Sequence, residues 1–182
     1  IKVKEKDNSL LIQGKINNVK KKINLKLLNN LFGTIIKDFD LENLELSSEN
    51  DFSFIINKKY KINDFILKSK INLNNVDYKV QLPFLKNFLP NFNNLIKLQN
   101  HKILINYKKN ELNIEGKGNI SIKGAEDYFD YKLSQDNNGY KFDTFFNIEK
   151  NQFLIDALNY KKKADLKASL KFNRSSKPVV SG

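Results

Sequence analysis

The chain has 182 residues, with 32 Lys and Arg against 20 Asp and Glu, and a formal net charge of +12. It holds no cysteine, which excludes disulfides and thiolate metal sites. A hydrophobic share of 40 %, rich in Ile, Leu and Phe and poor in Ala, excludes full disorder and tilts the class toward strands.

Ile1 to Lys6 alternates apolar and charged residues, and Asp7-Asn8-Ser9 is turn chemistry. Leu10 to Ile16 reads as a second strand and Asn17-Asn18 as a second turn. Val19, Ile23, Leu25 and Leu27 line one face of a third strand. Leu28 to Ile36 is interrupted by Asn29-Asn30 and Gly33 and can hold a short helix. Phe39, Leu41, Leu44 and Leu46 fit a strand with a one-residue shift between Leu41 and Leu44, as a bulge gives. Phe52, Phe54 and Ile56 follow, and Asn57-Lys58-Lys59 turns the chain. Ile62 to Leu73 is one long strand or two short ones, and Tyr78, Val80 and Leu82 close the first half.

Between Pro83 and Asn100 the period of two is lost. Phe84, Leu85, Phe88, Leu89, Phe92, Leu95, Ile96 and Leu98 are spaced nearer to three and four, around Pro90. This predicts a loop and a short amphipathic helix around Phe92 to Leu98. Packing into the core is favoured over plugging the open end of a sheet.

The strands then become cleaner. Ile103, Ile105 and Tyr107 face one way, and Lys108-Lys109-Asn110 turns. Leu112 and Ile114 continue through Gly116 and Gly118 to Ile120 and Ile122. Phe129, Tyr131 and Leu133 precede the hairpin signal Asp136-Asn137-Asn138-Gly139. From Tyr140 to Ile148, Tyr140, Phe142, Phe146 and Ile148 share a face, with Thr144 among them. Glu149-Lys150-Asn151 turns into Phe153, Ile155 and Ala157, and Leu166, Ala168, Leu170 and Phe172 make the last strand. The chain opens in mid-strand without Met, so residues 1–174 read as one β segment excised from a longer protein. Residues 175–182 read as a flexible tail. Any signal peptide or membrane anchor would lie outside this segment. No apolar run nears the roughly 18 residues of a membrane helix.

No catalytic, cofactor or metal signature accompanies the strands. His101 is the only histidine, lacks a second His or a Cys as partner, and reads as a surface residue. Gly116-Lys117-Gly118 precedes a strand rather than a helix, so it marks a bend or bulge instead of a phosphate loop. Glu126-Asp127 and Glu42 with Glu45 read as solvated carboxylates. The Asn-X-Ser matches at Asn119 and Asn173 are expected by chance in so Asn-rich a chain. The positive charge suggests nucleic acid, but Arg174 is the only arginine and the lysines are spread along strands. A genome rich in A and T explains the Lys, Asn and Ile together. An anionic membrane surface ranks next, and nucleic acid last.

The apolar face remains. Alternation alone leaves two architectures open: a closed β-sandwich, ahead on pattern, and an open trough that leaves its lining to lipid.

Two stretches carry a resemblance. Leu41-Glu-Asn-Leu-Glu-Leu-Ser-Ser, followed by short strands to Leu82, resembles the AsmA-like proteins. Leu112-Asn-Ile-Glu-Gly-Lys-Gly-Asn-Ile-Ser-Ile-Lys-Gly124 is similar to a strand of the YhdP branch, in which a β-meander such as Tyr128 to Phe172 follows. Alternation and short turns give an all-β, mainly antiparallel meander with one short helix near 84–98, and the resemblance implies that it curls into an open groove or half-barrel. The resemblance also implies a non-enzymatic, periplasmic lipid-transfer role, tethered to the inner membrane by a part outside this segment. Phospholipid or another acyl lipid would be the partner, moving between inner and outer membrane. The other readings are a closed β-sandwich module of a cell-envelope protein and, last, a basic nucleic-acid-binding domain. From alternation, the groove lining would be Ile105, Ile120, Ile122, Phe129, Tyr131, Phe142, Phe146, Phe153, Ile155 and Leu170.

Overall fold

The computed structural model describes residues 1–6, 8–26, 40–79, 85–90, 92–122 and 124–176. The described strands are β1 (Lys2–Lys6), β2 (Ser9–Lys22), β3 (Asp40–Ile56), β4 (Ile62–Lys79), β5 (Leu95–Lys108) and β6 (Glu111–Ile122). They continue as β7 (Ala125–Asp136), β8 (Gly139–Ile148), β9 (Phe153–Ile155), β10 (Tyr160–Lys162) and β11 (Ala168–Ser176). A one-turn helix (Leu85–Phe88) precedes β5, and a 3-10 turn (Asp156–Leu158) follows β9.

One sheet runs β1-β2-β3-β4-β5-β6-β7-β8-β11, and β9 with β10 forms a separate hairpin. Every neighbouring pair is antiparallel. Strands β1 and β11 each have one neighbour, so the sheet is an open meander and not a barrel. The all-β antiparallel fold with one short helix near 84–98 is therefore what forms. Short turns carry it. Lys109 (φ 48°) and Asn110 (φ 66°) both adopt the left-handed conformation that a two-residue hairpin favours.

Residues directly opposite each other in a sheet share a face. Ile105, Ile114, Leu133 and Phe142 lie in one such row across β5 to β8. The neighbouring row on the other face is Leu104, Glu115, Lys132 and Asp143. Alternation thus divides the sheet into an apolar face and a polar one.

Bulges explain why this long sheet curls. On β2, two residues between Asn18 and Lys21 face the single Ser47. Asn74 is the extra residue of β4 against β3. On β5, Asn100 and His101 together face Gly118. The row Lys21–Leu46–Leu73–His101 passes through all three, and Gly118, Phe129, Phe146 and Leu170 continue it. A bulge bends its strand and tightens the twist, and a glycine removes the side chain that would resist bending. Asn100, with φ 49°, supplies the left-handed residue that the bulge needs.

Several expectations change. The helix lies at Leu85–Phe88, ahead of Pro90, and Leu95 to Leu98 belongs to β5. Asn94 (φ 65°) breaks any helix there, and Ile96 pairs with Tyr78 on one side and Ile122 on the other. Asn17-Asn18 is not a turn. β2 runs through it, and the Asn18 side chain donates to the Leu46 carbonyl at 3.2 Å. Likewise β3 and β4 are each continuous, and β3 carries the shift expected beyond Leu41. β11 continues to Ser176, opposite Tyr140, so Ser175 and Ser176 belong to the sheet. The possible helix in Leu28 to Ile36, the positions Val80 and Leu82, and residues 177–182 lie outside the described residues.

A closed core forms at one end of the apolar face. Leu89, Phe92, Ile122, Ile148 and Phe153 are buried together, with Tyr78, Ile96, Ile120, Phe146 and Ile155 packed against them. Phe88 stacks on Phe153 at 6.2 Å. The segment after β4 is a packing element, as its spacing implied. Asp127, expected to be solvated, is buried here. Its Oδ1 accepts the Glu149 and Lys150 amides at 2.6 and 2.7 Å. Its Oδ2 accepts the Asn151 amide at 3.2 Å and the Asn151 side chain at 2.8 Å. The Lys162 ammonium, also buried, donates to the Glu149 and Asn151 carbonyls at 3.0 and 2.7 Å. One carboxylate and one ammonium thus hold the turn that docks the β9–β10 hairpin.

Candidate functional site

Away from that core, the apolar face has no second layer among the described residues. Each long strand packs against its sheet neighbours, and the β9–β10 hairpin and the short helix touch each other. The surface left over is a trough of Ile, Leu and aromatic side chains, most of them half-buried by one another.

The aromatic rings show the curl. β5 and β7 are separated by β6, a backbone distance of about 9.6 Å. Yet His101 on β5 stacks on Tyr131 on β7 with ring centroids 5.6 Å apart. The rings meet above Gly116 and Gly118, where β6 presents no side chain. Phe129 joins them, 5.3 Å from Tyr131, and Phe146 meets Phe129 edge-on at 6.0 Å. A second aromatic run, Phe52–Phe54–Phe65–Tyr107, has centroid separations of 6.1, 6.4 and 5.9 Å.

His101 is a correction to the sequence reading. It is wholly buried in mid-strand, not at the surface. Its phase with Ile103, Ile105 and Tyr107 was the available signal. Neither ring nitrogen has a hydrogen-bond partner among the described residues. Burial holds its pKa below the ordinary value near 6.5. Burial likewise pushes the Tyr131 phenol up. An unfolded chain takes up the imidazole proton near 6.5 and the folded chain does so only at lower pH. His101 therefore costs stability as pH falls below about 6.5, and the loss levels off once the folded form also protonates. A His101→Leu variant should flatten the unfolding free energy between pH 7 and 5. The wild-type slope from this group is at most about 1.4 kcal/mol per pH unit. Equal slopes in urea titrations of both proteins would refute this.

Gly116-Lys117-Gly118 does mark a bend. A Cβ on Gly118 would stand 2.5 Å from His101 Cα and 2.9 Å from the Asn100 carbonyl oxygen, both backbone. The atoms nearest a Cβ on Gly116 would be those of the Tyr131 side chain. Gly118→Ala should therefore lower stability by about 2 kcal/mol, and Gly116→Ala by less, because a side chain yields more readily than backbone. Chemical denaturation that ranks them the other way would contradict the bulge geometry.

Of the ten residues taken as lining, Ile105, Ile120, Ile122, Phe129, Tyr131, Phe142, Phe146 and Leu170 share the sheet's apolar face. Phe153 and Ile155 lie on the β9–β10 hairpin instead. Ile122 and Phe153 sit inside the closed core, and Ile120, Phe146 and Ile155 pack against it. The residues standing clear of the core are Ile105, Phe129, Tyr131, Phe142 and Leu170. Leu46, Leu73, Ile103, Ile114 and Leu133 extend that face by register. Among the described residues no group of three or more His, Cys, Asp or Glu could hold a metal ion. No described helix is long and apolar enough to cross a membrane. No protein-family model matches the chain, and no curated protein or solved structure matches it either.

Proposed function

We propose that this chain is a non-enzymatic segment of a lipid-transfer protein, and that its apolar trough carries the acyl chains of a phospholipid. The supporting observation is the apolar face itself. It runs from β2 to β11, interrupted on β3 and β4 by Ser48, Asn50 and Ser69, and beyond the small core no described element covers it. Eight strands spaced by about 4.8 Å extend roughly 34 Å across. That exceeds the ~15 Å that tails of one leaflet fill in a bilayer core of ~30 Å. Holding some 16 methylenes out of water is worth on the order of 12 kcal/mol, so a lipid crossing water requires such a lining.

The mechanism is passive. Tails lie along Ile105, Ile114, Leu133 and Phe142, headgroups stay in water, and lysines near the rim attract phosphate. In keeping with the AsmA-like resemblance, the setting would be the periplasm, with the membrane tether outside this segment.

Mass spectrometry of the chain purified without detergent tests the reading. Stoichiometric phospholipid or fatty acid is the expected result. A lipid-free monomer that also fails to take up phospholipid from vesicles would overturn it and favour a protein-binding β module.

A further inference from the structure

The polar face carries large apolar side chains in two places: Leu11, Ile55 and Ile66 on β2 to β4, and a group nearer its centre. Leu104 on β5, Tyr128 on β7 and Phe145 on β8 point to the wet side and are 42, 38 and 37 % exposed. They contribute to the lining of a depression of about 480 Å³, together with Lys102, Lys117 and Lys171. Elsewhere on this face, charges facing each other across strands are opposite in sign: Lys132 with Glu115, Lys97 with Asp77, Lys68 with Asp51. Lys102 and Lys117 instead stand directly opposite each other. Like charges so placed repel.

Among the described residues, no salt bridge relieves Lys102, Lys117 or Lys171. Asp130, the other cross-strand neighbour of Lys117, forms none with it. Glu115 is held by Lys132, and Asp143 by Lys141 at 2.9 Å. The depression therefore combines an apolar floor, a volume in the range of small-ligand sites, and an excess of cations, with Lys102, Lys117, Lys132 and Lys171 against Glu115, Asp130 and Asp143. Departures from local rules without structural compensation mark functional positions.

We infer that this depression is a second binding site, for a single amphipathic anion with a short apolar body and a phosphate or carboxylate head. The body covers Leu104, Tyr128 and Phe145, and the head bridges Lys102 and Lys117. The site lies on the face opposite the trough and stands independently of the trough's function.

Calorimetric titration of the full chain with dodecyl phosphate below its micelle concentration tests it. Binding should weaken on the order of tenfold in the Lys102→Gln/Lys117→Gln double variant. Phe145→Ser should also weaken it. Ile105→Asp, on the other face, removes uptake by the trough and should leave unchanged the binding component that the lysine variant weakens. Dodecanol and inorganic phosphate should each bind far more weakly than the amphiphile. Absence of binding overturns the site, as does equal affinity in the double lysine variant or equal binding of phosphate alone. Loss in Ile105→Asp with retention in the lysine variant would place the amphiphile in the trough and also refute the inference.

Discussion

Ile105→Asp and Phe142→Asp should each strip bound lipid from the purified chain while leaving it folded. Ile105 lies between Ser69 of β4 and Ile114 of β6, and Phe142 between Leu133 of β7 and Arg174 of β11. Both are half-buried on the apolar face and outside the closed core. A carboxylate there stays hydrated in the empty trough, so folding loses only the packing of one partly covered side chain, about 1–2 kcal/mol. An acyl chain laid over it must remove that water, which costs several kcal/mol. Lipid occupancy should fall at least about tenfold, since each 1.4 kcal/mol is a factor of ten. Ile148→Asp is the counterpart. Ile148 is fully buried, and a charge there should prevent folding. Lipid content by mass spectrometry and unfolding midpoints by circular dichroism separate the outcomes. Unchanged lipid in both surface variants would end the trough proposal, and unfolding of both would make these residues core.

The second large effect concerns Asp127. Asp127→Ala removes the acceptor of three backbone amides and of the Asn151 side chain. Hydrogen bonds to a charged group are worth about 1.5–3 kcal/mol each, and buried donors left unpaired add their desolvation cost. Because water can enter the vacated space, a loss of about 4 kcal/mol is expected rather than the full sum. Asp127→Asn keeps the shape and part of the acceptor capacity, so it should lose less. Denaturant unfolding of the two variants checks the order. A loss below about 1 kcal/mol for the alanine variant would show that the turn holds without the carboxylate.

Asp127 also shows how legible the chain was. It shares phase with Phe129, Tyr131 and Leu133, which places it on the apolar face, yet the Glu126-Asp127 pair read as solvated. Alternation tells which face a residue takes. It does not tell whether that face is covered at that point, because the cover over Asp127 comes from the turn Glu149-Lys150-Asn151, more than twenty residues away. His101 misled for the same reason. Its phase pointed inward, and its burial came from two glycines on β6 and two rings on β7. Lys162 left no trace, since its partners are backbone carbonyls. The segment after Pro83 kept its packing role but not its helix position. A spacing of three and four arises equally from a helix and from a loop that feeds a strand, and Asn94 decides for the latter.

Local chemistry was enough for the strand class, the antiparallel order and the hairpins, because period-two alternation and Asn-, Asp- and Gly-rich turns act between near neighbours. It also separated the wet face from the oily one. Where the strands bend, which part of the oily face is sealed, and where two lysines are forced together depend on register between strands. Register is a relation between residues dozens of positions apart, and only the folded sheet holds them in place.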